Sequence, residues 1–119
     1  MKKKLFVYGS LRPGQYNFNR FNKNGFIKVI EEDVIVEGFA MYSLGSYPGI
    51  KRKEDSSIVC TLISLPEREA DYIEDMEISA GYEKTTVDYK GESIPIYLYL
   101  DEVYERDLVK EGDWNKLHK

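Results

Sequence analysis

Near its start the chain carries four consecutive apolar side chains, Leu5 to Tyr8, a pattern that predicts a short buried strand. Gly9 interrupts it, and Pro13-Gly14 predicts a second turn. Gln15 to Asn24 mixes asparagines with Tyr16, Phe18 and Phe21, which can line one side of a short helix or an ordered loop. Phe26 to Met41 is strand-rich. Within Val34–Tyr42 the β-branched and aromatic residues predict a strand with a bulge or bend at Gly38. Leu44 to Ile50 is a turn segment, polar Lys51–Ser57 predicts an exposed hairpin connection, and Ile58–Leu65 is the next strand. Thr85–Lys90 and Ile94–Leu100 predict two more strands, joined by a hairpin at Lys90-Gly91-Glu92, with Pro95 at an edge or an irregular pairing.

One stretch has helical rhythm. Ser64-x-x-Glu67 reads as a capping box with Pro66 in the first turn, and the helix is expected to reach about Glu77. Ala70, Ile73 and Met76 mark its buried side. Acidic residues crowd the rest: Glu67, Glu69, Asp71, Glu74, Asp75 and Glu77. At about 100° per residue, Glu77 falls roughly 40° from the centre of the apolar face, Glu74 about 100° and Asp71 and Asp75 roughly 160°. Glu69 is as close as Glu77 but lies in the first turn, where the helix dipole gives an acid an ordinary capping role. A glutamate turned toward a core is uncommon, and desolvation raises its pKa toward neutrality, which suits a group that both takes and gives a proton. The competing reading is that the helix ends before Glu77 and releases it to solvent.

The Gly9 break also has two readings. A strand, a residue without Cβ, the Ser10 hydroxyl and open backbone amides make a seat for a small anion. Equally, strand-glycine-turn stretches are common as plain turns. Arg12 reads either as a fork that steers anions or as a solvent-exposed surface residue. The Gly9-to-Gly14 spacing matches a Walker loop, but Gln15 and Tyr16 stand where Lys and Ser or Thr belong, which excludes a nucleoside triphosphate site of that kind. Asn17 is a cap or a ligand contact.

Composition narrows the chemistry. The 119 residues suit one domain spanning 1–119, and 42% hydrophobic with 32% charged residues is ordinary for a globular chain. With 17 Lys plus Arg against 21 Asp plus Glu, the net charge of −4 argues against nucleic acid as a partner. Lys2-Lys3-Lys4 reads as a solvated lead-in to the first strand. The apolar run after it is too short for a secretory h-region, and no stretch approaches a membrane span, so no membrane partner and a cytoplasmic location are expected. Cys60, the one cysteine, excludes an intrachain disulfide and reads as a packed thiol. His118, the one histidine, lies beside the last residue, which argues against Ser-His-Asp or Cys-His catalysis and weakens any zinc site. Acid–base work then falls to Asp, Glu, Lys or Tyr.

Tyr8-Gly9-Ser10-Leu11-Arg12, with Gly14 and Asn17 beyond, resembles the opening of the gamma-glutamylcyclotransferase-like family, in its small bacterial-type, avirulence-induced-gene-like members. The resemblance recurs in Gly45-Ser46-Tyr47-Pro48-Gly49, in Ile73-Glu74-Asp75-Met76-Glu77, in Tyr82-Glu83-Lys84 and in Gly112-Asp113-Trp114. The chain departs from the family pattern at Ile78, which replaces a common glycine, at Glu74, which replaces an aspartate, and at Lys84, which replaces an arginine. The family often has glycine at Cys60. The resemblance implies an α+β fold, a small closed mixed β-barrel with flanking helices. It also implies cyclisation of a gamma-glutamyl amide to 5-oxoproline with release of an amine or amino acid.

In that reading Glu77 is the catalytic acid/base. The Gly9, Ser10 and Leu11 amides hold the substrate's α-carboxylate or a developing oxyanion, Tyr8 shapes the wall, and Tyr82 orients Glu77 or the substrate. The reacting atoms share one molecule, so no metal, organic cofactor or nucleophilic side chain is needed. A non-catalytic binding module for an acidic small molecule or a peptide end would use the same pocket. Nothing in the pattern selects an oligomeric state or the leaving amine.

Overall fold

A computed structural model describes residues 2–22 and 25–117, with Phe21 described by its backbone only. His118 lies outside the described residues. The elements run β1 (Lys2–Val7), α1 (Tyr16–Phe21), β2 (Lys28–Ser43), β3 (Pro48–Pro66), α2 (Glu67–Ser79), β4 (Tyr82–Tyr89), β5 (Glu92–Tyr99), a 3₁₀ turn (Glu105–Asp107) and α3 (Trp114–Leu117). β1, β3 and β2 form one sheet in that order, and β4 pairs with β5 in a second.

The apolar run at Leu5–Tyr8 is continuous because the chain there is buried on both sides. Phe6 and Tyr8 enter a core with Met41, Ile50, Ile58 and Trp114. Leu5 and Val7 face the opposite way, into a second core with Ile63, Leu65, Ile73 and Tyr97. The second core lies under α2, whose one fully buried side chain is Ile73, with Ala70 packed beside it. β2 and β3 form a long hairpin, closed where the Leu44 amide donates to the Tyr47 carbonyl at 2.8 Å. Gly38 bends β2 with φ +91°, in register with a break in the ladder between Glu37 and Phe39.

Three expectations are corrected. Lys51–Ser57 does not connect two strands: β3 is continuous from Pro48 to Pro66, and residues 53–56 bulge out opposite Gly38 between the paired Arg52 and Ser57. The capping box does not form. Ser64 is held in β3 opposite Lys4 and Lys28, and Pro66 caps α2 without a side-chain hydrogen bond. Finally, the sheets do not close into a barrel, and the ladders among the described residues are antiparallel rather than mixed. Side chains span the seam where a closing ladder would run. The Tyr8 hydroxyl donates to the Tyr97 carbonyl at 2.7 Å, the Lys51 ammonium donates to the Tyr99 carbonyl at 2.7 Å, and Lys4 pairs with Glu92 at 2.6 Å.

Candidate active site

β1 delivers the chain to the Gly9 loop. Gly9 has no positive φ, so its lack of a side chain answers a different need. A Cβ there would lie 2.7 Å from both Cγ and Cδ of Pro48, at the start of β3. The loop then folds through two turns, with the Arg12 amide donating to the Gly9 carbonyl and the Gln15 amide to the Arg12 carbonyl, each at 3.0 Å. α1 docks back onto the loop at one residue. The Phe18 amide donates to the Ser10 carbonyl at 3.0 Å, and Asn17 Nδ2 donates to Ser10 Oγ at 2.8 Å. Among the described residues, the amides of Ser10 and Leu11 have no hydrogen-bond acceptor.

This loop forms one wall of a cavity of about 490 Å³, a volume that suits a small organic ligand. The C-terminal turn of α2 forms another wall with Met76, Glu77 and Ala80. Tyr82, Tyr97 and the β2–β3 turn at Ser46–Pro48 complete it. The lining is mostly apolar, and it contains no lysine or arginine among the described residues. α2 runs to Ser79, two residues past Glu77, so the helix carries the carboxyl into the cavity instead of releasing it to solvent. Burial pushes the Glu77 carboxyl up to about 7. Among the described residues its carboxylate has no hydrogen-bond or ion-pair partner to offset that burial. Helix-mates are spent elsewhere: Glu74 pairs with Lys84 at 2.6 Å, and Glu67 and Asp71 both pair with Lys3.

Three tyrosines surround this acid. Burial raises the phenols of Tyr8, Tyr82 and Tyr97, and the Glu77 charge adds to the rise at each. Two of the hydroxyls are already committed, Tyr8 to the Tyr97 carbonyl and Tyr82 to the Pro48 carbonyl at 2.6 Å. Tyr82 therefore fixes the turn that rims the cavity and makes no hydrogen bond to Glu77.

All the site residues expected from sequence line this one cavity: Tyr8, Gly9, Ser10, Leu11, Glu77 and Tyr82. Arg12 does not, and both of its sequence readings fail. It is 1% exposed, and its guanidinium donates to Thr61 Oγ1 at 3.0 Å, to Asp113 at 2.8 Å and to Asp33 at 3.0 Å. It is a strut that fastens the loop to β2, β3 and the C-terminal segment. Cys60 is fully buried, and its thiol is pushed up to about 12 by burial, as a packed thiol should be. Tyr97 lines the cavity without a role expected from sequence, whereas Met76 marks the buried side of the expected helix and Pro48 lies in the Gly45–Gly49 motif. Met76 lies on the apolar face of α2. For Tyr97 the only signal was its place in an apolar strand.

A family model described as "Gamma-glutamyl cyclotransferase, AIG2-like" matches residues 5–116. A Vibrio cholerae serotype O1 protein named "Putative gamma-glutamylcyclotransferase" is 27% identical over 116 residues, covering 96% of each chain. In fold, the chain is similar to an uncharacterised protein of Pyrococcus horikoshii, with TM-score 0.80 and 21% identity over 97% of this chain and 92% of that one. It is also similar to Escherichia coli ytfP, with TM-score 0.74 and 23% identity over 98% of this chain and 99% of that one. A cavity rimmed by a strand-loop motif and holding one half-buried acid thus sits on an α+β fold shared with these solved structures. The chain belongs to the AIG2-like gamma-glutamyl cyclotransferase family.

Proposed function

We propose that this protein cyclises a gamma-glutamyl amide to 5-oxoproline and releases an amine, with Glu77 as the general acid/base. The observation that carries the reading is a single carboxyl, raised by burial to about 7, at the wall of a ligand-sized cavity also lined by Ser10 and Leu11, whose amides have no acceptor among the described residues.

Proton bookkeeping explains why one such acid is enough. The substrate's α-ammonium must lose two protons to become the lactam N–H, and the leaving nitrogen must gain two to depart as an ammonium. Glu77 as carboxylate takes a proton from the α-nitrogen, which attacks the γ-carbonyl carbon and closes a five-membered ring. Protonated Glu77 then delivers that proton to the leaving nitrogen as the tetrahedral centre collapses and the C–N bond breaks, and the second proton, lost by the ring nitrogen and gained by the freed amine, passes through solvent. A group titrating near neutrality can act in both directions. The cavity holds attacker and carbonyl of one molecule in contact, which supplies most of the advantage through orientation.

The lining also suits the substrate's charges. With no lysine or arginine among the described lining residues, the α-carboxylate is held by neutral donors. The Ser10 and Leu11 amides and the Ser10 hydroxyl supply them, and the same amides can stabilise a developing oxyanion. Glu77 is the counter-charge for the α-ammonium. Tyr8 and Tyr82, with their hydroxyls tied to backbone carbonyls, act as shaped walls.

The test is a panel of gamma-glutamyl amino acids and gamma-glutamylamines incubated with the protein and with folded Glu77→Gln, reading 5-oxoproline. Turnover by the parent and its loss in the variant is the expected result. Turnover kept by Glu77→Gln overturns the role of Glu77. Binding without turnover in the parent points instead to a binding protein that uses the same cavity.

A further inference from the structure

We propose that Asn17 is a positioning residue that aims the Ser10 hydroxyl proton into the cavity, making Ser10 a donor for the ligand's carboxylate. Only the choice of ligand rests on the cyclotransferase reading; the polarity argument stands on the hydrogen bonds.

A serine hydroxyl has one proton to give and two lone pairs that accept. Asn17 Nδ2 is donor-only, and it reaches Ser10 Oγ at 2.8 Å, so it occupies a lone pair. The Ser10 proton is therefore left to point elsewhere, and it donates to no described residue. Both residues line the cavity. Because the Ser10 carbonyl is held by the Phe18 amide at 3.0 Å, α1 fixes backbone and side chain of Ser10 together. The hydroxyl joins the Ser10 and Leu11 amides, which have no acceptor among the described residues, so two consecutive residues of the cavity lining carry three donors. An acceptor at position 17 would reverse this. It would draw the Ser10 proton to itself and turn lone pairs toward an incoming anion.

The reversal can be made almost without change of shape. Asn17→Asp keeps size and a hydrogen bond to Ser10 Oγ, but the carboxylate accepts where the amide donates. The experiment measures 5-oxoproline binding by calorimetry, independently of turnover, for the parent, Ser10→Ala, Asn17→Ala, Asn17→Asp, and each Asn17 change combined with Ser10→Ala. Thermal unfolding checks the fold of each. Losing a hydrogen bond to a charged ligand is expected to weaken Kd by about 10-fold in Ser10→Ala. Asn17→Ala should weaken it less, and add under about 2-fold once Ser10 is already Ala. Asn17→Asp should weaken binding more than Asn17→Ala in the parent. Much of that excess should vanish in the Ser10→Ala background, where only charge repulsion remains. In any variant that turns over, KM should rise more than kcat falls, because Glu77 is untouched.

Additive effects of Ser10→Ala and Asn17→Ala, or an Asn17→Asp effect equal in both backgrounds, would show that Asn17 does not act through Ser10 and would overturn the proposal. So would a parent that does not bind 5-oxoproline. Coupled binding in a protein that cyclises no gamma-glutamyl amide would sink the proposed activity and leave this inference standing.

Discussion

At the scale of the residue, Glu77 holds its proton to about 7 because burial desolvates its carboxyl and no partner among the described residues stabilises its charge. That has a consequence for folding, whatever the reaction. The unfolded chain releases the Glu77 proton near the ordinary value of 4.5, whereas the folded chain keeps it to about 7. Between those values the folded state binds more protons, so this group makes stability fall as pH rises through the window and level off above it. Glu77→Gln removes the charge and the loss with it. The variant is expected to gain stability over the parent at about pH 8, with the difference shrinking toward about pH 4, in denaturant unfolding followed at several pH values. An unchanged difference across that range would mean that Glu77 is solvated. Helical periodicity placed Glu77 near the core without any knowledge of tertiary structure, because a residue 40° or so from an apolar stripe must share its fate if the helix continues past it. Arg12 could not be placed that way. Its partners Asp33, Thr61 and Asp113 are far from it in sequence, and an arginine in a turn looks the same whether its partners are water or buried carboxylates.

At the scale of the element, the cavity depends on the contact between the loop after β1 and the start of β3. Gly9 and Pro48 touch so closely that one methyl group separates the native arrangement from a displaced one. Gly9→Ala is expected to fold, to lose about 1–3 kcal/mol as Pro48 is pushed back, and to lose ligand binding more than a remote variant of equal stability. Equal binding in Gly9→Ala and parent would separate the loop geometry from the site. Both segments were visible in the sequence as turns, but their contact was not. The β4–β5 hairpin was readable because Lys90 and Gly91 carry the chain through positive φ values of 48° and 82°, the geometry that a two-residue turn needs. The start of α2 departs from the sequence expectation for a physical reason. Ser64 satisfies the spacing of a capping box, but its place in the β1–β3–β2 sheet keeps it in the strand, and tertiary pairing overrides the local preference.

At the scale of the whole molecule, two long-range ties hold the halves of the site together. One is the seam where Tyr8, Lys51 and Lys4 reach across to β5 in place of a ladder. The other is the Arg12 strut, which gathers the Gly9 loop, β2, β3 and the segment before α3 around one buried guanidinium. Asp113 also accepts from the Asn115 amide at 3.1 Å, so the same carboxylate fastens α3. Removing one partner of a buried pair strands the other. Arg12→Ala is therefore expected to lose about 3–5 kcal/mol in chemical denaturation, far more than loss of a surface charge. A loss under about 1 kcal/mol would contradict the strut. The class of fold was legible in the strand and helix order and in the family motifs. Barrel closure was not, since it depends on which strand edges meet in space, and no local pattern records that.

The central claim is that Glu77 carries the protons of the cyclisation, and the pH dependence of kcat/KM for 5-oxoproline formation tests it most directly. A rising limb with an apparent pKa near 7, absent in a folded Glu77→Gln variant whose residual rate is flat, is the expected result. A rate that is level from about pH 5 to 8, or a limb that survives in Glu77→Gln, would contradict it.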